Sequence, residues 1–332
     1  MFIISGDWGS THCRVRLVER EAGRILAEVT GQGAARLAAE HADPAARATA
    51  FRKRLAETLA ALRQASGVDP GGSPVILSGM VGSSIGWREL PYAPLPVGLD
   101  GAALATERLE PVAPAGGGAP CPVVLVSGLA TADDVLRGEE MEAIGVMAQP
   151  ACAALRERAL LLLPGTHAKH LAIRGGAIVD FRTHLTGELL AVLSEHSLLR
   201  HSVAAGPVEL SPAALRAGVD AAREAPLTHA LFRVRARQVL ERTAAEENHA
   251  FLVGALLGAE LGGLADDAEG GPLLLCAGEA HLPAYRLALE HLGLSARLAC
   301  VPPEVMRTAA VAGHLVVARR LFDAKTDEWR GG

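Results

Sequence analysis

Hydrophobic and polar positions divide the chain into two runs of similar plan. The first begins with the apolar strand Phe2-Ile3-Ile4-Ser5-Gly6-Asp7-Trp8, turns at Gly9, and alternates through two further predicted strands over 12–19 and 24–30, with a second turn at Gly23. Residues 44–66 then place Phe51, Leu55, Leu59 and Leu62 three or four apart, the period of an amphipathic helix, and Asp43-Pro44 supplies its N-cap and first position. Val75-Ile76-Leu77 and Val123-Val124-Leu125-Val126 read as buried strands on either side of a loop at 111–122. A helix is expected from Arg137-Gly138-Glu139-Glu140. After it the three-strand opening recurs over 159–164, 168–174 and 177–183, with Gly175-Gly176 as a hairpin turn. A helix near Thr186-Gly187-Glu188, long helical patterns over 229–263, a strand at 273–276, a helix at 281–292, a strand at 297–301 and a helix at 303–321 complete the second run. Strands alternating with helices predict mixed sheets covered by helices. The expected division is 1–136 and 137–302, with the last helix returning to the first half.

Composition narrows the class. The 332 residues suffice for two cores, half of them are hydrophobic, and aromatics make up only 3%, which suits a helix-rich α/β protein. A net charge of −5 argues against a nucleic-acid partner. No apolar run reaches the ~20 residues of a membrane span, and no basic segment precedes the first strand, so a cytoplasmic protein is expected. The cysteines 13, 121, 152, 276 and 300 are odd in number and form no C-x-x-C pair, which fits reduced thiols rather than zinc or disulfides.

The chemistry gathers at the turns. Asp7 ends a buried strand beside Gly9, Ser10 and Thr11, where backbone N–H groups can face phosphate oxygens while the acid holds Mg²⁺ through water. Read alone, such a segment is also a plain turn. Gly165, Thr166 and Lys169 form the matching element in the second run, and the recurrence favours a shared phosphate chain over two unrelated hairpins. Ala277-Gly278 follows an apolar strand with side chains small enough to admit a flat ring. Glu139, Glu140 and Glu142 form an acid cluster at a helix start, where acids are favourable on structural grounds alone, yet a kinase acting on an alcohol profits from a carboxylate that takes the hydroxyl proton. Ser83, Ser84 and Trp87 follow a strand end suited to a substrate loop, although Trp87 serves equally well as a core or hinge residue. Arg182 could bind a substrate carboxylate bidentately or pair with Asp180 or Glu188. His167 and His170 read as polar packing rather than metal ligands.

Taken together, Asp7-Trp8-Gly9-Ser10-Thr11, Gly79-Met80-Val81-Gly82-Ser83 with Gly86-Trp87 and Pro91-Tyr92, Arg137-Gly138-Glu139-Glu140, Pro164-Gly165-Thr166-His167-Ala168-Lys169 and Asp180-Phe181-Arg182-Thr183 with Thr186-Gly187-Glu188 resemble the 2-dehydro-3-deoxygalactonokinase family. The resemblance implies two ribonuclease H-like half-domains of the sugar kinase/Hsp70/actin fold with an interdomain ATP cleft. It also implies phosphorylation of 2-dehydro-3-deoxy-D-galactonate at its 6-hydroxyl, with ATP and Mg²⁺, in galactonate or galactose breakdown. By the same resemblance Asp7, Gly9, Ser10 and Thr11 are the first phosphate element and Gly165, Thr166 and Lys169 the second. Glu139 takes the place of the base, with Glu140 as its rival, and Ala277 and Gly278 stand where the broader group usually has two glycines.

Two other readings compete: a kinase of another small sugar acid or ketose, and an ATP-dependent clamp of the chaperone or actin type. A requirement for a sugar acid in ATP consumption separates the clamp from either kinase. The expected partner is a small-molecule sugar acid, with neither nucleic acid nor membrane, and homo-oligomerisation stays open.

Overall fold

The computed structural model describes residues 1–206, 209–267 and 270–323. The chain clusters into two compact units: Met1–Glu157 with Ile173–Asp180 and the segment from Glu304 onward, and Arg158–Ala172 with Phe181–Pro303.

In the first unit β1 (Phe2–Trp8), β2 (His12–Glu19) and β3 (Ile25–Gln32) form an antiparallel meander. Then come α1 (Ala34–Glu40) and α2 (Pro44–Ser66). The Asp43 carboxylate accepts from the Ala46 N–H at 2.7 Å and Pro44 opens the first turn; Gly67, at φ 70°, ends the helix in the left-handed region. Its buried stripe of Phe51, Leu55, Leu59 and Leu62 packs with Ile4, Trp8, Val15 and Leu17 of the sheet. β4 (Val75–Gly79) is followed by the two-residue strands β5 (Ala93–Pro94) and β6 (Val97–Gly98), then β7 (Thr106–Val112), β8 (Cys121–Val126), β9 (Leu129–Ala130) and β10 (Val135–Leu136). The main sheet has the order β3-β2-β1-β4-β8-β7, with β1, β4 and β8 parallel. β7 begins before the expected loop at 111–122 and runs into it, while β8 takes up the loop's last two residues. As an edge strand β7 carries polar residues on both faces, so its alternation is faint.

α3 (Glu139–Met147), expected to open the second half, lies in the first unit. The reason is close packing against α10 (Ala309–Asp323), preceded by the one-turn α9 (Pro303–Met306). A Cβ on Gly145 would lie 1.8 Å from the Ala309 carbonyl oxygen, and one on Gly313 would lie 2.1 Å from that of Met141. Only glycine at both positions lets the two backbones approach this closely.

The second sheet contains β11 (Arg158–Leu163), β12 (Ala168–Arg174), β13 (Ala177–His184), β14 (Leu273–Leu275) and β15 (Leu298–Cys300), in the order β15-β14-β11-β12-β13; β6 pairs with the start of β13. This order repeats that of β8-β4-β1-β2-β3, with β11, β14 and β15 parallel. Each sheet thus has the ribonuclease H-like arrangement. Between β13 and β14 lie α4 (Thr186–His196), α5 (Pro212–Glu224), α6 (Leu227–Ala236) and α7 (Ala245–Asp266), and α8 (Leu282–His291) follows β14. The helical pattern over 229–263 is interrupted by a wide turn at Arg237–Glu241 and by Arg242, which sits at φ 54°. No described helix is long and apolar enough to cross a membrane.

Candidate active site

In the first unit the chemistry collects where β1 ends. Asp7 is paired in register with Arg14 on β2 and with Ser78 on β4. The turn beyond it is fixed through its carbonyls: the Gly33 N–H donates to Thr11, that of Ala34 to Gly9 and that of Ala35 to Ser10, at 2.9–3.0 Å. Ser10 and Thr11 are exposed. Gly79 (φ 87°) and Gly138 (φ 115°) let the end of β4 meet the start of α3: a Cβ on Gly138 would lie 3.6 Å from the Gly79 Cα.

Carboxylates crowd this point. Burial raises the Asp7 pKa, and the negative charge of Glu139 adds to it, against the opposing charges of Arg14 and Arg16. Glu142, three residues along α3 from Glu139, is pushed up to about 8 by burial and then by Asp7 and Glu139. Glu140 points elsewhere. It is fully buried, its Oε2 accepts from the Gly138 N–H at 2.6 Å, and burial followed by Glu139 raises it to about 8. Glu139 is half-buried, and one of its oxygens accepts from the Arg137 N–H at 3.2 Å.

Behind Asp7, the buried His314 of α10 contacts the Ser5 hydroxyl through Nδ1 at 2.7 Å and that of Ser78 through Nε2 at 2.9 Å. Burial, with the Arg16 charge, depresses its pKa to about 3, so the ring is neutral and ties α10 to β1 and β4. Among the described residues no three His, Cys, Asp or Glu side chains form a metal-binding group. A single crowded carboxylate nevertheless fits Mg²⁺, which keeps several waters and takes one or two protein acids.

In the second unit the Gly165-Thr166 turn rests on the start of α4. The Glu188 N–H donates to the Thr166 carbonyl at 2.9 Å, and a Cβ on Gly187 would lie 2.4 Å from the Gly165 oxygen. His167 meets the Glu188 carboxylate at 2.5 Å. Lys169 is buried, and its amine donates to the His167 carbonyl at 3.0 Å. Beside the turn opens an apolar cavity of about 370 Å³, walled by Gly165, Thr186, Leu190, Leu257, Ala280 and Tyr285. His249 and His281 also line it, and burial lowers the pKa of both. Ala277 is buried and Gly278 exposed just before α8, where the Gly278 carbonyl accepts the His281 and Leu282 N–H groups.

The remaining predicted residues are dispersed. The Ser83 hydroxyl donates to the Met80 carbonyl at 2.7 Å, and the exposed Ser84 offers its carbonyl to Arg47. Trp87 stacks on Phe51, with centroids 6.3 Å apart, at the edge of the first core. Arg182 is exposed on β13. Arg14 and His249 did not emerge from the sequence, whereas Glu142 belongs to the acid cluster read there. Reflecting Asp7 across the Ser10-Thr11 turn would have located Arg14.

A profile of the 2-keto-3-deoxy-galactonokinase family matches residues 7–313. The chain belongs to this family. A 2-dehydro-3-deoxygalactonokinase of Escherichia coli (strain K12) is 32% identical over 87% of this chain and 90% of its own length. A Rhizobium meliloti (strain 1021) protein assigned the same name is 34% identical over 88% of this chain and 90% of its own. The crystal structure of a Sinorhizobium meliloti protein, also assigned as a 2-dehydro-3-deoxygalactonokinase, superposes with a TM-score of 0.76 at 29% identity, covering 99% of this chain and 100% of the other. Family membership extends across both units, so each of the two turns lies within the matched region.

Proposed function

We propose that this galactonokinase-family chain transfers the terminal phosphoryl group of ATP to the 6-hydroxyl of 2-dehydro-3-deoxy-D-galactonate, in galactonate or galactose breakdown. The observation that carries the chemistry is the grouping of Asp7, Glu139 and Glu142, whose charges act on one another near the junction of β4 and α3, with Glu139 still half-exposed. Glu139 is the base that takes the hydroxyl proton as the oxygen attacks. Asp7 would hold Mg²⁺, and the ion would supply charge neutralisation at the phosphates when bound. Ser10 and Thr11, with Gly9 permitting the turn, present N–H and hydroxyl donors to phosphate oxygens; Arg14 contributes positive charge beside them.

Gly165 and Thr166 form the second phosphate element, and Lys169 buttresses it through the His167 carbonyl. The apolar cavity beside Gly165 is the nucleoside pocket, since its low polarity and neutral histidines suit a flat uncharged ring. Arg182 supplies the cation for the substrate carboxylate, and the loop bearing Ser83, Ser84 and Trp87 contributes to sugar recognition.

The test is ADP release over a panel of 2-dehydro-3-deoxy-D-galactonate, its C4 epimer, other aldonic acids and a ketose. Release should depend on the sugar acid and be fastest with the galactonate derivative. Faster turnover on a ketose would reassign the substrate, and release without any acceptor would favour the clamp.

A further inference from the structure

Behind the cavity wall of the second unit lies Glu260, the one acid in the apolar stretch of α7 between Asn248 and Ala265. It is 7% exposed and receives three hydrogen bonds from three other elements. His170 Nε2 of β12 lies 2.9 Å from Oε1, the Tyr285 hydroxyl of α8 lies 2.9 Å from Oε2, and the Thr186 hydroxyl at the start of α4 also donates to Oε2. Burial by itself would raise this carboxyl's pKa, but the His170 hydrogen bond and charge, with the two hydroxyls, bring it below the ordinary value. The acid is therefore ionised. An ionised group in a core is a poor choice for stability alone, because an apolar residue of like volume usually serves as well.

Its partners indicate another purpose. Thr186 and Tyr285 both wall the cavity. Thr186 is followed directly by Gly187, packed on the Gly165 carbonyl, and by Glu188, whose N–H holds the Thr166 carbonyl. The carboxylate thus fixes the nucleoside wall and the phosphate turn against each other.

We propose that Glu260 is a positioning residue for the nucleotide, setting the α8 wall of the cavity and the α4 end that supports the Gly165-Thr166 turn. The proposal rests on the assignment of the cavity to the nucleoside. Glu260 touches neither substrate; it acts through Thr186 and Tyr285.

The test compares the KM values for ATP and for the sugar acid in Glu260→Ala, Glu260→Gln, Thr186→Val and Tyr285→Phe, with Ala280→Trp as a cavity-filling control. The bonds lost are internal to the protein, so the effect on ATP comes from displacement of the Thr186 and Tyr285 walls, and about tenfold in affinity is the scale expected. Glu260→Ala should therefore raise the ATP KM at least ~10-fold and leave the sugar-acid KM within about twofold. Thr186→Val and Tyr285→Phe should move the ATP KM the same way by less. Glu260→Gln should recover most of the affinity, because one amide oxygen can accept both hydroxyls and the amide nitrogen can face the other His170 tautomer.

A folded Glu260→Ala with an unchanged ATP KM, or with both KM values raised alike, overturns the proposal. Should that variant fail to fold, the same split in Thr186→Val and Tyr285→Phe decides. An unchanged ATP KM in Ala280→Trp removes the nucleoside assignment and this proposal with it. A raised one alongside an unaltered Glu260→Ala removes the proposal alone.

Discussion

Glu139 and Glu140 are neighbours in sequence and opposites in environment. On a helix their side chains diverge by about 100°, and the structure resolves that divergence into one half-exposed acid and one sealed acid bonded to the Gly138 N–H. On the proposed assignment it is the half-exposed one that meets the hydroxyl and returns its proton to solvent. Glu139→Gln is expected to lower kcat by ~10²–10⁴-fold with ATP affinity nearly unchanged, the loss usual for a general base. Glu140→Gln should retain most of the turnover. Steady-state kinetics on both single variants checks this, and an inactive Glu140→Gln beside an active Glu139→Gln reverses the assignment. The sequence already narrowed the base to these two residues. It could not choose between them, because the choice depends on which side of α3 meets α10.

That same contact shows what was legible among the helices and strands. β1 to β3 follow from their alternation, and α2 from Asp43-Pro44 and its apolar spacing, since each of these signals is local. The membership of α3 in the first unit is not local. It depends on Gly145 and Gly313, which are far apart in sequence and look like ordinary helix-weakening residues until their backbones are seen in contact. Likewise Ala277-Gly278 located the start of α8, whereas the cavity beside it is assembled from α4, α7 and α8 and has no motif. Gly145→Ala would force a methyl group against the Ala309 carbonyl. Overpacking of this kind costs about 1–3 kcal/mol, so thermal unfolding should occur several degrees lower. Because α3 carries Glu139, kcat should also fall in whatever fraction stays folded. An unaltered Tm and kcat would mean that the crossing is looser than described.

Stability of the entire protein should carry the imprint of its crowded acids. Glu140 and Glu142 both rise from 4.5 to about 8 on folding. Between those values the folded chain holds protons that the unfolded chain has released. Stability is therefore full below pH 4.5 and declines as pH climbs through 8, by at most about 1.4 kcal/mol per pH unit for each group. Glu260 has the opposite sign: its lowered pKa adds stability that disappears only in acid. The neutral His314, His249 and His281 act in the opposite sense, adding stability as pH rises to 6.5, where their unfolded forms lose the proton. For the ligand-free protein, calorimetry should therefore show Tm falling from about pH 7 to 8.5, and Glu140→Gln should flatten that fall. A Tm that rises over this range would exclude the protonated state of these acids.

The packing of α10 on α3 also sets a schedule for the newborn chain. About 160 residues separate Met147 from Ala309, and at ≈ 5–20 residues per second their translation takes roughly 10–30 s. Throughout that interval β1 and β4 lack the helix whose His314 joins Ser5 to Ser78, and α3 lacks the partner that packs on Gly145. A ribosome that stops early therefore releases a chain that carries the Asp7 turn and Glu139, the proposed base, without the helix that packs on α3. On the proposed assignment, catalytic competence is a property that translation confers late, after most of both units has been synthesised.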